Sequence, residues 1–159
     1  MGDETMWIGG EWVASTDGAT SDVLNPATGE LMATVPRATV EDVNRSVSAS
    51  REAFNNSDWK NMDPAQRGRI LNKMAAVTYA KAKELAVIES SNNGKTFREA
   101  LSEIRYGAWT LEYFAGLSDK IEGKTIPVPG PRLNYTLRQP LGVTVHIVPW
   151  NFPLQLALR

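Results

Sequence analysis

The chain has 159 residues, with 17 Lys and Arg against 18 Asp and Glu and a formal net charge of −1. A balance this close to neutral gives no electrostatic footing for nucleic acid or an anionic membrane surface. The absence of cysteine excludes a disulfide framework, a thiolate metal site and a cysteine nucleophile within these residues. No run approaches the ~18 apolar residues of a membrane span, and the first residues lack the apolar stretch of a secretory signal. These features lead us to expect a cytoplasmic protein. One domain of this length can bury about 70% of its unfolded surface.

In chain order, Met6-Trp7-Ile8, Gly9-Gly10 and Glu11-Trp12-Val13 read as a hairpin, because Gly-Gly suits a primed two-residue turn. Its two tryptophans are expected to pack as the edge of a first layer. Asn25-Pro26 opens a second turn that Thr28-Gly29 closes, and Leu31 to Val35 is then a short strand stopped by Pro36.

Three helices are predicted next. Thr39 caps the first, with Glu41 and Asp42 in its first turn and an apolar face of Val40, Val43, Val47 and Phe54. Asp63 caps the second, with Pro64 at the first helical position, where its missing N–H is no loss. A continuous stripe of Ile70, Leu71, Met74, Val77, Leu85 and Ile88 carries this helix to Asn92-Asn93-Gly94. Thr96 and Glu99 form a capping box for the third, whose core face is Phe97, Leu101, Ile104, Ala108, Leu111 and Ala115, with Gly116 ending it. Gly107 in mid-helix costs roughly 1 kcal/mol relative to Ala, which points to close packing of a neighbouring element.

From Gly123 the texture changes. Pro127, Pro129, Gly130 and Pro131 break the chain, and residues 133–139 then alternate as an extended segment. A protruding arm that needs a partner and an ordinary surface hairpin fit this pattern equally well. The β-branched run at 143–148, bounded by Pro140 and Pro149, reads as a buried parallel strand. His146, the only histidine, lies in that run and reads as a packed or solvent-facing ring. Two prolines then flank Trp150-Asn151-Phe152 before a Leu-rich helix start. A strand, a proline-fixed bend and a helix start form the first half of a βαβ unit, and ligands collect at the carboxyl ends of such strands. Asn151 sits at that edge, with an amide that donates two hydrogen bonds without charge. From the residues alone, a turn-forming asparagine between two prolines explains this position better than a functional one does.

Several short motifs occur in one order: Gly10-Glu11-Trp12, Asn25 to Glu30 (NPATGE), Asn93-Gly94-Lys95, Tyr113 to Gly116 (YFAG), Gly123 to Pro127, and finally Leu141-Gly142-Val143 followed by Pro149 to Leu154 (PWNFPL). Together they resemble the N-terminal portion of the NAD(P)-dependent aldehyde dehydrogenase superfamily. The resemblance implies an incomplete α/β fold, with an N-terminal hairpin and three-helix layer leading into the first strands of a Rossmann-like cofactor-binding domain. On this basis residues 1–122 are the N-terminal part of the cofactor-binding domain. Residues 123–141 are an extended oligomerisation arm, and 142–159 are the first parallel strand and helix start.

The same resemblance implies NAD(P)+-dependent oxidation of an aldehyde to a carboxylic acid, with NAD or NADP as cofactor and a homo-oligomer, dimer or tetramer, as the working form. Asn151 takes the place of the family's oxyanion-hole asparagine. Val148, Pro149, Trp150 and Asn151 fall at the cofactor-binding positions, and Tyr106, Trp109 and Phe152 on the substrate tunnel. Val23, Leu24 and Asn92 correspond to a monovalent-cation site, where Asn92 replaces the family's Asp and brings an oxygen without charge. The family's nucleophilic Cys, its general-base Glu and the residues that grip the adenosine ribose have no counterpart here, so these 159 residues alone are expected to be inactive. The alternative is a non-catalytic truncated module that associates with partner subunits.

Overall fold

The structure is a computed structural model and describes residues 4–159; the first three residues of the expected 1–122 segment lie outside it. It opens with two antiparallel hairpins. In the first, β1 (Met6–Ile8) pairs with β2 (Glu11–Val13), placing Trp7 opposite Trp12. Gly9 and Gly10 both take the positive φ (63° and 92°) that this two-residue turn requires. The indole rings meet edge to face, with centroids 4.8 Å apart, yet both side chains stay exposed. The expected packed edge is therefore a cross-strand pair on the surface. In the second hairpin, β3 (Thr20–Leu24) pairs with β4 (Leu31–Pro36). Its turn is closed by the Gly29 N–H on the Asn25 carbonyl at 2.7 Å and by the Asn25 side chain accepting from the Ala27 N–H.

Helix α1 (Val40–Asn56) starts at Thr39 with a full capping box, completed by the Asp42 side chain. The expected apolar face is not covered by the described residues: Val40, Val43 and Val47 are exposed, whereas Asp42 is buried. The Asp42 carboxylate accepts from the Thr16 hydroxyl at 2.5 Å, the Thr39 N–H at 2.9 Å and the Thr16 N–H at 3.2 Å, tying the loop after β2 to the helix start. A single helical turn, α2 (Asp58–Asn61), follows.

The stripe expected as one helix is two. Helix α3 (Pro64–Ala80) begins at the Asp63 cap and its N1 proline, and α4 (Ala82–Asn93) ends at Gly94 in the left-handed conformation. Between them Lys81 takes φ −92° and ψ 6°, outside the helical well, so the register breaks without a glycine or proline. Both helices pack along α5 (Phe97–Leu117), the longest element, and the break lets each follow it. The core is built of small residues, Ala82, Ala86 and Ala100, around Ile104, with Leu85, Leu101 and Leu154 closing over it. On α5 the expected face holds at Ile104, Ala108, Leu111 and Ala115, while Phe97 at the entry is exposed.

After α5, a short hairpin joins β5 (Thr125–Ile126) to β6 (Asn134–Tyr135). The extended segment thus pairs within its own chain over two residues, and Leu133 and Leu137 remain exposed. Residues 142–148 form no strand; a ladder needs a second backbone, and among the described residues none pairs with them. Val145 and Ile147 are 79% and 94% exposed, which overturns the expected burial. The chain closes on α6 (Pro153–Ala157), with proline at its first position. The sum is a mixed helix-and-strand assembly of three separate two-stranded sheets around a helical layer, an incomplete α/β fold.

Candidate active-site turn

The turn at 149–152 is positioned from three sides. Pro149 fixes its entry, and the Phe152 N–H closes on the Pro149 carbonyl at 3.2 Å. Pro153 then starts α6, and Leu154 on that helix packs onto the alanine core. At Gly107 of α5, a Cβ would stand 3.2 Å from Leu158 Cδ1 and 3.6 Å from Gln155 Cα, so the mid-helix glycine serves the close approach expected from the sequence.

Asn151 is exposed, and among the described residues its side-chain amide makes no hydrogen bond. Its backbone carbonyl is held: Lys95 Nζ donates to it. Lys95 also donates to Glu89 Oε1 at 2.9 Å and to Glu103 Oε2, and its Nζ lies 4.8 Å from the centre of the Phe152 ring, within cation–π range. Burial raises the Glu89 carboxyl above its ordinary value, and the neighbouring Glu103 adds to this against the opposing Lys95. Burial alone would lower the Lys95 ammonium, but hydrogen bonds to Glu103 and Glu89 outweigh it and raise its pKa.

No local pattern in the sequence announces this cluster. Glu89, Lys95 and Glu103 are six and eight positions apart and belong to a helix, a loop and the next helix, so no periodicity joins them. The available signal was Gly94: a left-handed cap turns the chain sharply, and Lys95 follows it directly.

The other expected site residues are distributed as follows. Trp150 is exposed and Val148 half-buried; among the described residues Val148's backbone makes no hydrogen bond, while Pro149's carbonyl keeps one lone pair beyond the turn. Tyr106 and Trp109 stack at 5.3 Å on the outer face of α5, and Tyr113 continues the stripe 6.0 Å from Trp109. Phe152 makes no ring contact with them. Two adjoining grooves of about 700 and 770 Å³ share Trp59, Arg67, Ser118, Ile121 and Arg138 and include none of the expected site residues. Of the cation candidates, Val23 is half-buried, and Leu24 and Asn92 are exposed. A Cβ on Gly94 would lie 3.1 Å from Pro26 Cγ, so the turn after Leu24 abuts the end of α4 that carries Asn92. Among the described residues no group of three or more His, Asp or Glu could hold a metal ion, and no helix is long and apolar enough to cross a membrane.

The described residues form a helical layer that leads to a proline-fixed turn with a free amide at a helix start. Comparison with known proteins makes this specific. The model of the aldehyde dehydrogenase family matches residues 12–159. Aldehyde dehydrogenase 1A1 of Ovis aries is 43% identical over 155 residues, covering 96% of this chain and 31% of the relative. A crystal structure of an NAD-dependent aldehyde dehydrogenase from Sinorhizobium meliloti superimposes with a TM-score of 0.93 at 38% identity, covering 98% of this chain and 32% of that one. Betaine aldehyde dehydrogenase of Staphylococcus aureus, solved with NAD+, gives 0.92 at 34% identity, covering 98% and 31%. The chain belongs to the aldehyde dehydrogenase family and corresponds to its N-terminal portion. It spans about a third of the length of these relatives.

Proposed function

We propose that these residues serve the NAD(P)+-dependent oxidation of an aldehyde to a carboxylic acid within a longer polypeptide, with Asn151 as the oxyanion donor. The supporting observation is the division of labour at Asn151, whose backbone is held by Lys95 while its amide is left free. Attack on an aldehyde places negative charge on the former carbonyl oxygen. A neutral N–H donor fixed in advance stabilises that charge without reorganising as it forms. When bound, the nicotinamide cofactor accepts the hydride. The chain's own contribution at that point is the backbone of Val148 and Pro149, whose carbonyls can take hydroxyl donors. Tyr106, Trp109 and Phe152 supply aromatic surface for the aldehyde's substituent. The nucleophile and general base come from residues outside this chain. At Val23, Leu24 and Asn92 the donors would be carbonyl and amide oxygens, a set without charge that suits a weakly held monovalent cation better than a divalent one.

The bare backbone at 142–148, beside exposed Val145 and Ile147, favours this reading over a self-sufficient module, which would cover that face. The test is Asn151→Ala in the intact gene product. Loss of one oxyanion donor lowers kcat by roughly 10²–10³. An unchanged kcat removes Asn151 from the chemistry.

A further inference from the structure

We infer that Lys95 is a positioning residue for Asn151, acting on the oxyanion donor through its backbone carbonyl; the inference rests on the proposed role of Asn151. An ammonium has three N–H bonds, and Lys95 directs them at three acceptors: Glu89, Glu103 and the Asn151 carbonyl. The nitrogen is therefore fully committed, and its position is set by two carboxylates on different helices. Glu89 lies near the end of α4 and Glu103 in α5, so the one group that reaches the turn is triangulated from the rigid helical layer.

The surroundings strengthen the hold. The Lys95, Glu89 and Glu103 side chains are 13%, 6% and 16% exposed, so water competes little for the two carboxylate bonds that place the nitrogen, while the bond to the Asn151 carbonyl faces solvent. Lys95 also covers the Phe152 ring, so the residues on either side of the Asn151–Phe152 peptide bond both meet the same ammonium. A carbonyl fixed in this way fixes its peptide plane and restricts where the Asn151 side chain begins. Burying an ion pair carries a desolvation cost that its attraction can fail to repay, so the cluster by itself is weak evidence of a role in stability alone. The arrangement makes sense as orientation: a displacement of about 1 Å at a reacting centre can cost 10²-fold in rate.

A double-mutant cycle in the intact gene product tests this, using Lys95→Met, Asn151→Ala and the combination. Lys95→Met is expected to lower kcat about 10- to 100-fold and to leave the KM for NAD(P)+ within about twofold. In the Asn151→Ala background the same substitution is expected to cost nothing further in kcat, because the group it aims is gone. A purely structural lysine would instead lower kcat by the same factor in both backgrounds. Losses that multiply, or a Lys95→Met enzyme with unchanged kcat, overturn the inference. Should Lys95→Met fail to fold, Lys95→Gln goes through the same cycle, since its shorter amide has two N–H donors and cannot serve three acceptors. Asn151→Ala alone with undiminished kcat would refute the oxyanion role itself, an outcome distinct from multiplying losses.

Discussion

Gly68 on α3 faces the carbonyl of Ala115 on α5 so closely that a Cβ there would lie 2.8 Å from the oxygen. Gly107 has a different neighbour, the methyl end of Leu158, which can rotate away. The two glycines therefore answer differently to the same substitution. Gly68→Ala forces two backbones apart and should cost roughly 1–3 kcal/mol, as overpacking does. Gly107→Ala gains about 1 kcal/mol of helix propensity against a small shift of Leu158, so it should leave stability within about 1 kcal/mol. Thermal or denaturant unfolding of the two variants decides this, and equal losses would contradict the contrast.

The Asp42 carboxyl is held far below its ordinary value, chiefly by the Thr16 hydroxyl and then by the Thr39 N–H. Its folded pKa lies below its unfolded one, near ~3.9. The ionised form therefore contributes stability in full above that value and loses it as pH falls through the folded pKa. Asp42→Ala should melt below the unsubstituted protein at neutral pH, and the gap between the two melting temperatures should narrow below about pH 4. A gap that stays constant down to the lowest pH at which both fold would show that ionisation of Asp42 is not what stabilises the loop.

The sequence revealed local signals and missed distant partners. Thr39, Asp63 and Thr96 cap helices where expected, because capping depends on residues within one turn. Gly9-Gly10 makes its hairpin for the same reason. Asp42 read as a first-turn acid, yet it is buried because Thr16, 26 positions earlier, closes over it, and no local pattern announces that. The break at Lys81 carries no breaker residue. Val40, Val43 and Val47 have the periodicity of a buried face without a covering element among the described residues. At the site, Asn151 was legible only through the resemblance around it. Lys95 lies inside the Asn93-Gly94-Lys95 motif, but its acceptors are brought to it by tertiary structure alone.

The aromatic stripe of Tyr106, Trp109 and Tyr113 lies on the outer face of α5, at spacings of three and four residues, with each ring partly exposed. If it walls the aldehyde tunnel, Trp109→Ala in the intact gene product should raise KM for aromatic and quaternary-ammonium aldehydes by roughly tenfold or more, through lost apolar and cation–π contact. A short aliphatic aldehyde should be nearly unaffected. Equal changes for all three substrate types would place Trp109 in a packing interface instead.

The 159-residue chain by itself should show no NAD(P)+ reduction with any aldehyde. It contains no cysteine to form a covalent adduct. Among the described residues no strand pairs with the segment entering the Asn151 turn, so the turn is held by Lys95 and α6 but not by a sheet. Donors stabilise an oxyanion well only where water is excluded, and Asn151 is open to solvent. The measurement is nicotinamide absorbance with purified chain from a host lacking its own aldehyde dehydrogenases. Turnover proportional to chain concentration and lost on Asn151→Ala would show that these residues carry a nucleophile other than cysteine, and would move the search to the hydroxyl and amine side chains around the turn.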